Sequence, residues 1–229
     1  MSKLRSQPDP DDGSRCVLRN PERLSSSFAP IAHGMYASSF SRVLAISPLL
    51  AVTACATAPS HINDICAVFD QRDGWVNNWQ SAAEKAERKY GVPVPVLMAT
   101  VRKESGFKGN ARPPRTKLLG FIPWKHQSSA YGYSQALDGT WTQYKLESGN
   151  WGARRSSFAD AVDFVGWYHS KTADTYGVAK NDTFRLYMAY YLGWGAYKRG
   201  NWPASVQAYA KATDDMAKRY AGQLQACGS

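Results

Sequence analysis

Apolar residues recur every three or four positions over most of the chain after residue 75, with polar or small residues between them. That is the pattern of helices that bury one stripe. The clearest case is Phe158 to Tyr176, where Phe158, Ala161, Val162, Val165 and Tyr168 share a face; Ser157 is placed to cap its start and Gly177 follows its end. Asp182 is placed to cap a helix from Thr183 to Leu192, ended by Gly193. Pro203 opens a last helix, whose stripe from Val206 through Tyr209, Thr213, Met216 and Tyr220 to Leu224 and Cys227 reads as core. Earlier, Trp75 to Lys89 predicts a charged, Ala-containing helix closed by Tyr90-Gly91. Val92-Pro93-Val94-Pro95 then breaks the chain, and Pro95 suits the first turn of a new helix running to about Glu104.

Lys108 to Ala130 holds five Pro or Gly residues and interleaved aromatics, which predicts a long ordered loop with room for a short hairpin. No internal repeat is visible. All eight Trp and twelve of the thirteen Tyr lie after Cys55, so the folded part is the later part. The expectation is a mainly α single domain, residues 63–229, with one long Pro/Gly-rich loop.

The region before it reads differently. Residues 1–34 either precede a true start at Met35 or form a long polar leader, and in both cases no fold is expected. Residues 35–54 have the layout of a secretory signal: Arg42, an apolar run from Val43 to Val52 too short to span a bilayer, then small residues. Val52-Thr53-Ala54-Cys55 resembles a bacterial lipobox, which makes Cys55 the expected lipidation site and residues 55–62 a short tether. An ordinary cleaved signal with an incidental Cys is the alternative. Ala56 rather than Asp after Cys55 points, by likeness to bacterial lipoproteins, to anchoring on the periplasmic face of the outer membrane. With Cys16 in the leader and Cys55 lipidated, Cys66 and Cys227 remain and are expected to pair in an oxidising compartment. Two separate buried thiols are the other reading.

The net charge is +10, and the residues after the signal still carry 22 Lys and Arg against 14 Asp and Glu. Such a domain is drawn to polyanions. The basic residues are scattered, densest from Arg112 to Lys125, with no nucleic-acid-binding fingerprint, so a nucleic-acid partner is not expected. No CxxC pair is present, so no metal site is expected.

For chemistry, Leu97, Thr100, Val101 and Glu104 share one helix face, which places Glu104 on the apolar side. A carboxylate is costly to bury ionised, and such a setting suits a general acid near neutral pH. The plainer reading is a helix-end Glu that reaches solvent or pairs with Arg102 or Lys103. Asp138 is read as the N-cap of a helix from Thr140-Trp141 onward. His61, His126 and His169 are isolated and offer no ligand set. Phe121, Trp124, Tyr131 and Trp194 are candidates to stack on sugar faces, Tyr131 foremost. Arg112, Arg115 and Lys117 are placed to meet wall-peptide carboxylates, or else form a solvated loop face.

Glu104-Ser105-Gly106-Phe107, then Ala130-Tyr131-Gly132-Tyr133-Ser134-Gln135, then Ala189-Tyr190-Tyr191-Leu192-Gly193-Trp194-Gly195 resemble, in order and spacing, the three motifs of soluble lytic transglycosylases and goose-type lysozymes. The resemblance covers the chain from about Trp75 onward and implies a lysozyme-like fold. It implies Glu104 as catalytic acid/base, Ser105 as its orienting neighbour, Gln135 as a glycan contact and Tyr190 as the tyrosine beside the reaction centre. Tyr133-Ser134 stands where the family has Leu-Met, and Tyr191-Leu192 where it has Asn-Ala. The implied reaction is non-hydrolytic cleavage between N-acetylmuramic acid and N-acetylglucosamine in peptidoglycan strands, leaving a 1,6-anhydro end. It needs one Glu and no metal or cofactor, and a monomer suffices. A hydrolytic muramidase and a non-catalytic peptidoglycan-binding protein of the same fold are the alternatives.

Overall fold

The computed structural model describes residues 58–70, 72–73, 77–118 and 122–227. These residues belong to one compact unit and form eight helices and two short antiparallel strand pairs. The leader, the signal segment, Cys55 and Phe121 lie outside the described residues.

The chain enters through a short helix α1 (Ile65–Phe69), started by Asp64, whose carboxylate accepts the Cys66 and Ala67 amides. The next expected helix starts later than its sequence pattern suggests. Arg72–Asp73 (β1) pairs with Asn77–Asn78 (β2), and α2 runs Trp79–Tyr90 instead of from Trp75. The reason is local: the Asn78 side chain accepts the Ser81 amide at 3.0 Å, so Asn78, itself extended, caps the helix. Gly91 closes α2 in the left-handed conformation.

Helix α3 (Val94–Ser105) follows Pro93 and carries Pro95 in its first turn, as expected. It is buried on most sides, with Val96 to Val101 and Glu104 all inaccessible or nearly so. Between α3 and the next helix, Arg115–Leu118 (β3) and Ile122–His126 (β4) form the hairpin for which the long loop left room. Then come α4 (Asp138–Ser148), α5 (Phe158–Tyr176), α6 (Thr183–Leu192), a one-turn α7 (Trp194–Lys198) and the 24-residue α8 (Ala204–Cys227). The caps at Ser157 and Asp182 form, accepting the Asp160 and Arg185 amides.

One cap does not. Leu137 is the N-cap of α4, while Asp138 is its first helical residue and makes no cap bond. Its carboxylate is drawn instead to Arg155, at 2.7 Å. A charged partner and the positive end of the helix both favour an acid in the first turn.

Helix α5 runs through the middle, packed against α2, α3, α4 and α6. It lies so close to α2 that a Cβ on Gly166 would fall 2.6 Å from the Tyr90 ring, which is why glycine stands there. The core is strongly aromatic. Trp79 stacks on Phe158 with centroids 4.2 Å apart, and Tyr133 meets both edge-on. Tyr133, where the motif family has Leu, is therefore a core residue, 1% exposed. Cys66 and Cys227 form a disulfide that ties α1 to the end of α8 across 161 residues. Among the described residues no helix is long and apolar enough to cross a membrane.

Candidate active site

Glu104 occupies the last turn of α3 and is 6% exposed. The helix stops immediately after it. Gly106 (φ 58°) caps the helix in the left-handed region, and Phe107 follows at φ 62° with its side chain packed on Trp79. Phe107 and Gln135 are the two non-glycine residues of positive φ among the described residues, and both stand in motifs that the sequence singled out. Left-handed backbone at side-chain-bearing residues is strained and persists only where packing enforces it. Here the burial of Phe107 and the hydrogen bonds of Gln135 do so.

The Tyr187 hydroxyl donates to Oε1 of Glu104 at 2.9 Å, and both side chains are buried. Tyr187 was not among the residues expected from sequence. The available signal was its place one helical turn before Tyr190 on α6, which puts the two on neighbouring positions of one face. Their rings lie near parallel, 6.4 Å apart.

The other expected residues fall into place around this pair with different tasks. The Ser105 hydroxyl donates to the Val101 carbonyl at 3.2 Å, within its own helix, whereas the Tyr187 hydroxyl reaches the Glu104 carboxylate. Gln135 is 3% exposed, and its amide nitrogen donates to the carbonyls of Ala111 and Gly132 at 2.8 and 2.9 Å. Those bonds bind the start of the long loop to the turn that Gln135 closes. Gly132 within that turn (φ 73°) passes so near Arg155 that a Cβ would lie 2.0 Å from its carbonyl oxygen. The Tyr190 hydroxyl donates to the Ser134 carbonyl at 2.5 Å, which clamps α6 onto the same turn. The half-buried Tyr131 lies under the Arg112 guanidinium, 4.3 Å from its ring centre. Trp194 stacks on Tyr168 at 4.5 Å and donates its indole N–H to Thr172.

A cleft of about 290 Å³ opens beside this assembly, lined among others by Gln135, Thr140, Phe164, Tyr168, Tyr190 and Tyr191. The sequence-predicted Gln135 and Tyr190 thus share its wall. Glu104, Ser105 and Tyr131 are not part of the lining, and Glu104 connects to it through Tyr187 and the neighbouring Tyr190 ring. None of the described lining residues is acidic.

His169 packs behind Tyr190, with ring centroids 5.4 Å apart. Thr100, one turn before Glu104, donates to the Val96 carbonyl and lies 2.9 Å from Nε2 of His169. Burial lowers the His169 pKa from 6.5 to about 3, which keeps the ring neutral. Its Nδ1 and the Ser134 hydroxyl are buried without a hydrogen-bond partner. Among the described residues no cluster of His, Cys, Asp and Glu could hold a metal ion.

The family model of the Transglycosylase SLT domain matches residues 43–227. No curated protein matches the chain in sequence. A solved structure of an inactive mutant of the lytic transglycosylase Slt from Pseudomonas aeruginosa is similar, with a TM-score of 0.45 and 14% identity. The similarity covers 71% of this chain and 26% of that one, so the chain spans about a quarter of that protein's length.

Proposed function

We propose, from the premise that the chain belongs to the Transglycosylase SLT domain family, that it cleaves peptidoglycan between N-acetylmuramic acid and N-acetylglucosamine without water. The observation that carries the reading is the buried Glu104 carboxylate held by the Tyr187 hydroxyl beside an aromatic cleft. In this reading Glu104, protonated, gives its proton to the glycosidic oxygen as the C1–O bond breaks. As a carboxylate it then takes the proton of the muramic C6 hydroxyl, whose oxygen bonds to C1 and closes the 1,6-anhydro ring. The attacking hydroxyl belongs to the substrate, so its proximity replaces a second carboxylate. Tyr187 holds the reacting carboxyl in one orientation, and a site mostly closed to solvent strengthens the stabilisation of developing charge.

Hydrolysis would call for a second carboxylate to activate water. Asp138, three residues after Gln135, has a side chain that is largely exposed and engaged with Arg155. We place the enzyme on the periplasmic face of the outer membrane, lipid-anchored through Cys55, on the strength of the signal segment and its lipobox-like end.

The test is mass spectrometry of the products released from peptidoglycan by the purified protein and by Glu104→Gln. Anhydro-muramyl products that disappear in the variant are expected. Products one water heavier would make the protein a muramidase, and binding without release would make it a wall-binding protein.

A further inference from the structure

From Ser105 to Leu137 the chain contains Lys108, Arg112, Arg115, Lys117 and Lys125 and no Asp or Glu. This stretch leaves α3 just after Glu104, forms the β3–β4 hairpin and returns along the cleft, where Gln127, Ser128, Gln135 and Leu137 line the wall. A run of one sign beside a cleft concentrates anionic substrates.

Within it, Tyr131 faces two guanidinium groups whose situations differ. Arg155, 5.6 Å from the ring centre, is fully engaged: it pairs with Asp138 at 2.7 Å and donates to the Ser129 and Ala136 carbonyls, each at 2.9 Å. Arg112 is exposed, lies closer to the ring at 4.3 Å, and has no carboxylate partner among the described residues. Its position is fixed from behind, because the carbonyl of the preceding Ala111 accepts both the Gly132 amide at 2.9 Å and the Gln135 side chain at 2.8 Å. Stacking on a ring steadies a guanidinium while leaving its N–H edge available, and that edge matches a carboxylate with two parallel bonds.

We propose that Arg112 on its Tyr131 platform is a carboxylate-binding subsite at the rim of the cleft, which takes the acidic peptide stems carried by the glycan strand. The inference rests on the peptidoglycan reading above. A stem is favoured over a nucleic acid because one ring-stacked guanidinium suits a single planar carboxylate, whereas a polyphosphate backbone is met by a row of cations.

The probe is a free acidic stem tetrapeptide, titrated into the purified protein and followed by NMR, with no turnover involved. Arg112→Gln is expected to weaken binding about tenfold or more, Arg112→Lys to recover only part of it, and amidation of the peptide carboxylates to reproduce the loss. Arg112 is exposed, so these variants are expected to fold. Equal binding by the unaltered protein and Arg112→Gln, or no binding by either, overturns the subsite. So does Arg112-dependent binding of single-stranded DNA in place of the peptide. Wall cleavage with Arg112-independent peptide binding sinks the subsite and leaves the activity standing. Arg112-dependent peptide binding in a protein that releases no glycan sinks the activity and leaves the subsite.

Discussion

Glu104 and Asp163 are both carboxylates that accept hydrogen bonds from tyrosine hydroxyls, Glu104 from Tyr187 at 2.9 Å, Asp163 from Tyr90 and Tyr144 at 2.9 and 2.7 Å. Asp163 also receives Lys89, at 3.0 and 3.1 Å. Its partners come from α2 and α4, so from its place on α5 it ties three helices together. Burial first, and then the Asp163 carboxylate, push the Tyr90 and Tyr144 hydroxyls well above the ordinary tyrosine pKa, which keeps both as donors. None of Lys89, Tyr90 and Tyr144 lines the cleft, whereas the partner of Glu104 lies against the cleft-wall ring of Tyr190. A tyrosine bond therefore does not mark a reacting carboxylate. Its surroundings differ, and the proposed function gives Asp163 to stability and Glu104 to chemistry on that difference.

The comparison breaks most sharply with paired variants. Glu104→Gln should cut wall cleavage by about a thousandfold or more, the upper part of the range for a lost general acid/base, while its urea midpoint stays near that of the unaltered protein. Asp163→Ala should do the reverse. Leaving one buried and one half-buried hydroxyl and an ammonium without their acceptor is expected to cost roughly 2–4 kcal/mol in urea unfolding, with cleavage per folded molecule retained. If Asp163→Ala unfolds no more easily, the division of roles is wrong.

Smaller changes sharpen it. Tyr187→Phe should fold and lose about tenfold to a hundredfold in kcat with little change in KM. Tyr144→Phe should lose only about 1 kcal/mol of stability and no rate. A stable Tyr187→Phe with an unchanged kcat would remove Tyr187 from the site. A pH-dependent effect concerns His169, whose folded pKa of about 3 lies below its ordinary 6.5. Between those values the unfolded chain binds the extra proton, so stability is full above about pH 6.5 and falls toward pH 3. The slope approaches about 1.4 kcal/mol per pH unit. Urea titrations at pH 7 and 4.5 should show a smaller difference in His169→Gln than in the unaltered protein.

Much of this was legible in local pattern. Ser157 and Asp182 specify their helix starts because a cap bond involves only residues three apart. The motif around Glu104 was legible for the same reason, since three-to-four spacing on α3 already placed the carboxylate among buried residues. Local rules misled where a distant group competed. Asp138 had the chemistry of a cap, but Arg155 lay close enough to take its charge, and the sequence does not display that proximity. Asn77 and Asn78 continued a helical pattern in sequence, but their pairing with Arg72 and Asp73 removed them from the helix.

By itself, then, the sequence determined a mainly helical domain and pointed to Glu104, Gln135 and Tyr190, because periodicity, capping and motif spacing are encoded within a few residues. Tertiary structure decided which partners those residues have. It brought Tyr187 to Glu104 across 83 positions and Tyr190 to Ser134 across 56, and it stacked Arg112 on Tyr131, with no carboxylate partner among the described residues, beside an Arg155 paired with Asp138. Hydrogen bonds and ion pairs act over about 3 Å in space and are indifferent to separation along the chain, so only packing can select them.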